Sequence, residues 1–220
     1  MFPIRDHNPS YKIPFVTLFL IVITTLVFLM QITVPDPDVF IYTYALIPAK
    51  VNVLIPNSLL PFLFSIFLHG GWFHIISNMW FLWIFGDNIE TKLGHMRYFL
   101  FYLYCGIIAG LLQYITNPFS DIPTLGASGA IAGVLGGYLV LFPRHKIDTL
   151  VPVFGGFLTR VSIPASIMLG YWFFIQLFSG IGSLGFQSEE GVAWFAHIGG
   201  FGAGWLVARV FYNRSVIENS

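Results

Sequence analysis

The stretch IPTLGASGAIAGVLGGYLVLFP, residues 122–143, contains no Asp, Glu, Lys or Arg in 22 positions. It carries five glycines between 126 and 137 and a single serine, Ser128. At about 1.5 Å per helical residue, such a run is long enough to cross a hydrocarbon core about 30 Å thick. The same reading, carried outward, finds uncharged runs at 13–35, 98–120, 161–188, 191–208 and 51–86. Two spans and a turn need roughly 40 residues, so the 36 residues of 51–86 are read as one span entered from an apolar loop. The loop residues Leu59 to Phe64 are too few to cross alone, and the expectation is that they pack on protein in the outer interface. Residues 149–159, with Gly155-Gly156 between Lys146 and Arg160, are read as an interfacial connection. Six spans result, at about 15–34, 73–90, 97–116, 126–143, 162–181 and 194–212.

Composition agrees. The chain is 56% hydrophobic, 18% aromatic and 9% charged, against about 25% charged in soluble domains. The 24 Phe, 10 Tyr and 6 Trp exclude a disordered chain. Ten basic residues balance ten acidic ones, which argues against nucleic acid as a partner. A lone cysteine, Cys105, excludes an internal disulfide framework and a cysteine metal cluster. The predicted class is an all-α polytopic membrane protein, a six-helix bundle forming one domain over 1–220 with its core at about 15–212 and short polar tails. The first span is too long for a signal peptide and lacks a small-residue cleavage site. Nothing in the sequence assigns an oligomeric state.

Orientation follows from basic residues. With the N-terminus inside, the inner side holds Arg5, Lys12, Lys92, Arg97, Arg144, Lys146, Arg160, Arg209 and Arg214, and the outer side holds Lys50. That asymmetry is the positive-inside pattern. It places both termini in the cytoplasm, and the expected location is a bacterial plasma membrane. The outer loops instead carry Asp36, Asp38, Asp121, Glu189 and Glu190.

Polar side chains within spans are costly and mark function by default. His74 lies 18 residues before Lys92, about 27 Å along a helix axis, and so near the outer end of its span. Asn78 lies one turn deeper. Ser128 opens the fourth span, and His197 lies seven residues after the outer Glu190. Four polar residues from three helices thus share one outer layer. Small residues line two of these helices, at Gly126, Gly129 and Gly133 in one and at Ala193, Gly200 and Gly204 in the other. Such faces let backbones approach closely, which would bring Ser128 and His197 within hydrogen-bond reach. A serine hydroxyl becomes a nucleophile when a base takes its proton, and histidine is that base near neutral pH.

No Asp or Glu lies in this layer within a span, so the expectation is a Ser–His dyad. His74, Asn78 and backbone N–H groups near Ser128 are the candidate oxyanion donors. Blander readings exist for each. A lone serine at a helix start is most often a cap, and His74 and Asn78 could tie helices together. A His74/His197 metal site lacks a completing carboxylate or cysteine, so neither metal nor cofactor is expected. His69 reads as structural, His95 and His145 as solvated residues of inner loops. Trp72, Trp80 and Trp83 read as interfacial aromatics, and Glu90 as a structural tie to Lys92 or Arg97.

The motifs His74-x-x-x-Asn78, Gly126-Ala127-Ser128-Gly129 and Ala196-His197-Ile198-Gly199-Gly200 are each common alone. Together, in this order and at this depth, they resemble the rhomboid family of intramembrane serine proteases, in its minimal six-span form. The resemblance implies Ser128 as nucleophile, His197 as general base, and His74, Asn78 and the Ser128 N–H as oxyanion stabilisers. It implies another protein's transmembrane segment as substrate, cut near its outer end, with the fifth span gating lateral entry. Two features depart from the pattern. The first loop has no Trp-Arg pair, and Ala132 stands where some members place a tyrosine against the catalytic histidine. His197 is then oriented by another group, such as an aromatic from a different span. The alternative is an inactive relative that binds transmembrane segments for trafficking or degradation. A small transporter would show deep charges or inverted repeats, and neither is present.

Overall fold

The computed structural model describes residues 2–8, 12–152, 157–183 and 192–217. The sequence readings at Gly155-Gly156, Glu189 and Glu190 fall outside the described residues. Helix dominates. A short strand β1 (Phe2–Asp6) precedes α1 (Phe15–Thr33) and α2 (Pro37–Tyr44). The 3-10 turns Pro48–Lys50 and Pro56–Leu59 lead to α3 (Pro61–Phe64) and a further 3-10 turn, Ser65–Phe67. Then come α4 (Trp72–Leu93), α5 (His95–Thr116), α6 (Ser128–Leu141), the strands β2 (Lys146–Pro152) and β3 (Leu158–Pro164), α7 (Ala165–Ser183) and α8 (Trp194–Ile217).

Three of these helices, α1, α5 and α7, are long and apolar enough to cross a membrane, and the run Pro56–Phe67 bent by 79° against α4 makes a fourth. Their outward faces carry exposed Phe19, Val22 and Leu26 on α1, and Ile167, Phe174 and Phe178 on α7. Apolar side chains at these positions suit lipid, because a helix satisfies its own backbone and needs no water. The centre of the bundle is α6, with Ala130, Val134, Leu135 and Tyr138 at most 1% exposed.

Glycine fixes how α6 meets α8. A Cβ added to Gly200 would overlap the Gly129 carbonyl, and one added to Gly204 would overlap that of Gly133. The two backbones therefore touch directly, with no side chain between them. Ala196, one turn before Gly200, packs on Gly129. Ala193, read from sequence as part of this face, instead precedes the helix and accepts the His197 N–H at 3.2 Å.

The all-α reading omits a three-stranded antiparallel sheet in the order β1-β2-β3. It uses the N-terminal residues read as a polar tail and the residues read as an interfacial connection. Its β3 also takes Ser162 to Pro164, so the fifth helix begins at Ala165 and not at 162. The sheet forms around a charge. Asp148 on the central strand faces Arg5 on β1 and Ser162 on β3, and it pairs with Arg5, with His7 at 2.9 Å and with Arg160. A second carboxylate, Asp6, accepts from Tyr138 Oη at 2.7 Å and Asn88 Nδ2 at 2.6 Å, tying the sheet to α6 and α4.

Glu90 also corrects its reading. Its oxygens accept the N–H groups of Val16 and Thr17 at 2.8 Å each and the Thr17 hydroxyl at 2.7 Å. It thereby caps the otherwise unpaired first turn of α1, where a negative charge also suits the helix dipole. It also meets His95, 2.6 Å away, so His95 is a paired residue and not a merely solvated one. Trp80 likewise has a use: its indole N–H donates to the Pro3 carbonyl at 2.8 Å.

Two predictions follow from packing and charge. Gly200→Ala places a methyl in a backbone carbonyl that cannot swing aside, a cost of about 1–3 kcal/mol or more. Gly202→Ala meets nothing within 4 Å and leaves the melting temperature in detergent unchanged or slightly raised. The second concerns Asp148. The hydroxyl of Ser162, then the side chains of Arg160, His7 and Arg5, hold its carboxyl below the usual carboxylate range. The stability so added is complete above about pH 4 and is lost as pH falls through the lowered native value. Asp148→Asn should therefore cost about 1–3 kcal/mol at pH 7. The gap between the two melting temperatures should narrow on acidification below about pH 4.

Candidate active site

The chain reaches Ser128 through a loop pinned along its length. Ala49 N–H donates to the Ser120 carbonyl at 3.0 Å, and Leu46 and Thr124 exchange two backbone bonds of 3.0 and 2.7 Å. Gly126 N–H donates to the Ser65 carbonyl at 2.9 Å, and Ala127 N–H to His69 Nε2 at 3.4 Å. Gly126 has φ +122°, in the region glycine alone enters cheaply, and a Cβ there would sit 2.8 Å from His74 Cε1 and Nε2. Both constraints demand glycine. The turn delivers Ser128 as the first residue of α6, where backbone N–H groups have no intrahelical acceptor and the helix dipole favours negative charge.

Ser128 Oγ lies 2.8 Å from His197 Nε2. The two residues belong to different helices, and the direct contact of Gly129 with Gly200 is what closes the gap. Both side chains are half-buried, as is His74. The other imidazole nitrogen, His197 Nδ1, lies 2.7 Å from Gln176 Oε1 on α7. Trp172, one turn earlier on α7, sets its ring 5.9 Å from the imidazole at a tilt of 36°. The expected aromatic is thus present, together with an amide that sequence reading passed over. One signal could have found it: Gln176 is the single amide side chain in α7.

The remaining candidates stand on the other side of Ser128. His74 Nδ1 accepts from the Gly70 N–H at 3.4 Å. That bond leaves Nε2 as the protonated nitrogen, and a Cβ built on Gly126 would lie 2.8 Å from it and 3.8 Å from Ser128 Oγ. Asn78 is 6% exposed, and its amide nitrogen has no hydrogen-bond partner among the described residues. A buried donor of that kind is costly to leave unmade and fits a site that binds an anionic oxygen. His69 lies behind His74, with ring centroids 5.0 Å apart. Its backbone is clasped by Gln31, which donates to its carbonyl at 2.6 Å and accepts its N–H at 3.2 Å. His69 therefore links α1, the loop before Ser128 and His74 in one buried chain of contacts.

A cavity of about 320 Å³ lies between residues 116–125 and the start of α8, and neither Ser128 nor His197 lines it. Among the described residues, no group of three or more His, Cys, Asp or Glu side chains is placed to hold a metal.

Comparison with known proteins identifies the family. The family model for the Rhomboid domain matches residues 56–214. The "Rhomboid protein 1, mitochondrial" of Saccharomyces cerevisiae is 39% identical over 97 residues, 42% of this chain and 28% of that protein. The "Presenilin-associated rhomboid-like protein, mitochondrial" of Mus musculus is 33% identical over 123 residues, 52% of this chain and 33% of that protein. The "Putative rhomboid protease YdcA" of Bacillus subtilis is 40% identical over 84 residues, 37% of this chain and 42% of that protein. Each match thus spans less than half of the relative. The domain match, in contrast, takes in every residue of the Ser128, His197, His74 and Asn78 cluster, and the chain belongs to the rhomboid family.

Proposed function

We propose that this chain is an intramembrane serine endopeptidase that cuts transmembrane segments of other proteins near their outer ends. The observation that carries the reading is the 2.8 Å contact between Ser128 Oγ and His197 Nε2. His197 takes the hydroxyl proton as Oγ attacks the scissile carbonyl. The oxyanion forms at the start of α6. The Ser128 N–H, His74 Nε2–H and the Asn78 amide, otherwise unpartnered, donate to it there. His197 returns its proton to the departing amine, and water then hydrolyses the acyl-enzyme by the same steps in reverse order.

Depth supports the substrate class. As a helix of 14 residues, α6 is about 21 Å long. If its inner end lies at the inner boundary of the hydrocarbon core, Ser128 sits roughly 9 Å below the outer one. We take α1 and α4 to α8 as the six spans of one domain, with the Lys- and Arg-rich side cytoplasmic and the site towards the outer face. A bacterial plasma membrane remains our reading of the location, and the mitochondrial labels of two matched relatives make a mitochondrial membrane the rival.

Two measurements test the reading. A fluorophosphonate probe should label the purified chain in detergent, and neither Ser128→Ala nor His197→Ala. A folded, monodisperse parent left unlabelled in both detergent and lipid would support the inactive, segment-binding alternative. Asn78→Ala and His74→Ala should each retain the fold and lower cleavage of a transmembrane substrate by about 10²–10³ in kcat. Cleavage at the parental rate would remove these side chains from the oxyanion site.

A further inference from the structure

The nitrogen of His197 turned away from Ser128 has a neutral partner on a different helix. We infer that Gln176 is the positioning residue of the Ser128–His197 pair, holding the imidazole in the tautomer and orientation that proton transfer needs. The inference rests on the proteolytic reading above.

Gln176 is 5% exposed within a helix whose other buried residues, Ala165, Met168, Leu169 and Gly180, are apolar or glycine. An amide in such a place is costly unless it is hydrogen-bonded, and it meets His197 Nδ1 at 2.7 Å. The amide oxygen only accepts, so Nδ1 carries the proton and Nε2 presents its lone pair to Ser128 Oγ. The reversed amide would donate to Nδ1, protonate Nε2 and abolish the base. Orientation of one side chain therefore decides whether the dyad can work. Met168, Trp172, Gln176 and Gly180 recur every four residues, and the last three meet the start of α8. Gln176 holds the edge of the His197 ring, Trp172 lies near its face, and Gly180 packs on Ile198 and Trp194. No ring on α6 performs this task, since Ala132 occupies the turn after Ser128 and is 1% exposed.

No carboxylate substitutes for the amide among the described residues. From α4, the titratable group at the site is His74, whose ring and Ser128 Oγ flank the same point at Gly126. Neither α6 nor α7 carries an Asp, Glu, Lys or Arg. On α5, Arg97 lies fifteen residues before Leu112, the residue that meets Gly199 of α8, and Arg209 lies twelve residues beyond His197 on α8. Tyr138 bonds to Asp6, Tyr114 packs on Phe62, Cys105 lies against Gly133, and Tyr171 faces outward. Among the described residues, the imidazolium formed during catalysis is thus oriented but not neutralised. The same geometry couples α7 to the chemistry, because moving this helix away removes both groups that hold the ring.

The test compares fluorophosphonate labelling rates of the full chain with those of Gln176→Ala and Gln176→Glu across pH 5 to 9, about the range in which histidine titrates. Gln176→Ala should label about 10- to 100-fold more slowly. Gln176→Glu should restore most of that loss and move the acidic limb of the profile up by about one pH unit, because a carboxylate favours the imidazolium. An alanine variant that labels at the parental rate overturns the inference. So do two slow variants whose acidic limb stays at the parental pH, a result that a purely structural role would give. Nitrogen-15 histidine spectra of the unaltered chain, assigned through His197→Ala, give an independent answer. A proton on Nδ1 is expected, and a proton on Nε2 overturns the inference whatever the variants do. A folded parent that takes no label fails the protease reading, and the tautomer still decides the positioning of His197. A labelled parent with indifferent Gln176 variants fails this inference alone.

Discussion

A carbonyl of α6 against the bare α-carbon of a glycine on α8 is the contact on which the site depends. Ser128 and His197 are 69 residues apart, on helices that no short loop connects. Side chains of ordinary size would hold two helix axes about 8–10 Å apart, and a Ser–His hydrogen bond needs them closer. Gly129 against Gly200 and Gly133 against Gly204 supply that closeness in successive turns. In a membrane this packing is also a main source of helix association, since lipid offers little hydrophobic advantage to burying one apolar face on another. The same glycines thus carry stability and chemistry, and a change that loosens one loosens the other.

Much of this was legible in the sequence because membrane proteins write their architecture in charge. The gaps between Asp, Glu, Lys and Arg located the helices to within a few residues, and the small-residue spacing indicated which two would touch. The sheet was not legible in this way. Its strands owe their pairing to Asp148, Arg5, His7 and Arg160, which come from separate parts of the chain. No periodicity in one strand reports a charge cluster shared by three. Glu90 was misread for a related reason. Its nearest charges in sequence were Lys92 and Arg97, but its partners are two backbone N–H groups of α1 some 73 residues away and His95. Backbone donors are invisible to a search for opposite charges.

Gln176 escaped notice differently. A search for an orienting acid looks for Asp or Glu, and it finds none because the role falls to a neutral amide. The physical cost explains the choice of an amide. An ionised carboxylate at this depth would have to be desolvated with only a transient imidazolium to pair with, whereas an amide needs one good hydrogen bond. The family's motifs describe the reacting atoms and say less about what stands behind them. Ala132 stands on α6 at the position where some members carry a tyrosine, and the groups beside His197 come from α7 instead.

On the proteolytic reading proposed above, the placement of these groups on α7 bears on how cleavage would be restrained. An aligned Ser–His pair next to water would be a standing hazard in a membrane full of helices. When the orienting groups sit on the catalytic helices, alignment is permanent and control must come from access alone. Here the orienting groups sit on α7, whose outward face is lined with exposed apolar side chains suited to lipid or to an incoming segment. Displacing α7 to admit a substrate would also release His197, so chemistry would await a bound segment that restores the packing around the ring. Binding energy would then be spent on assembling the base, which favours segments that fit and disfavours those that merely enter.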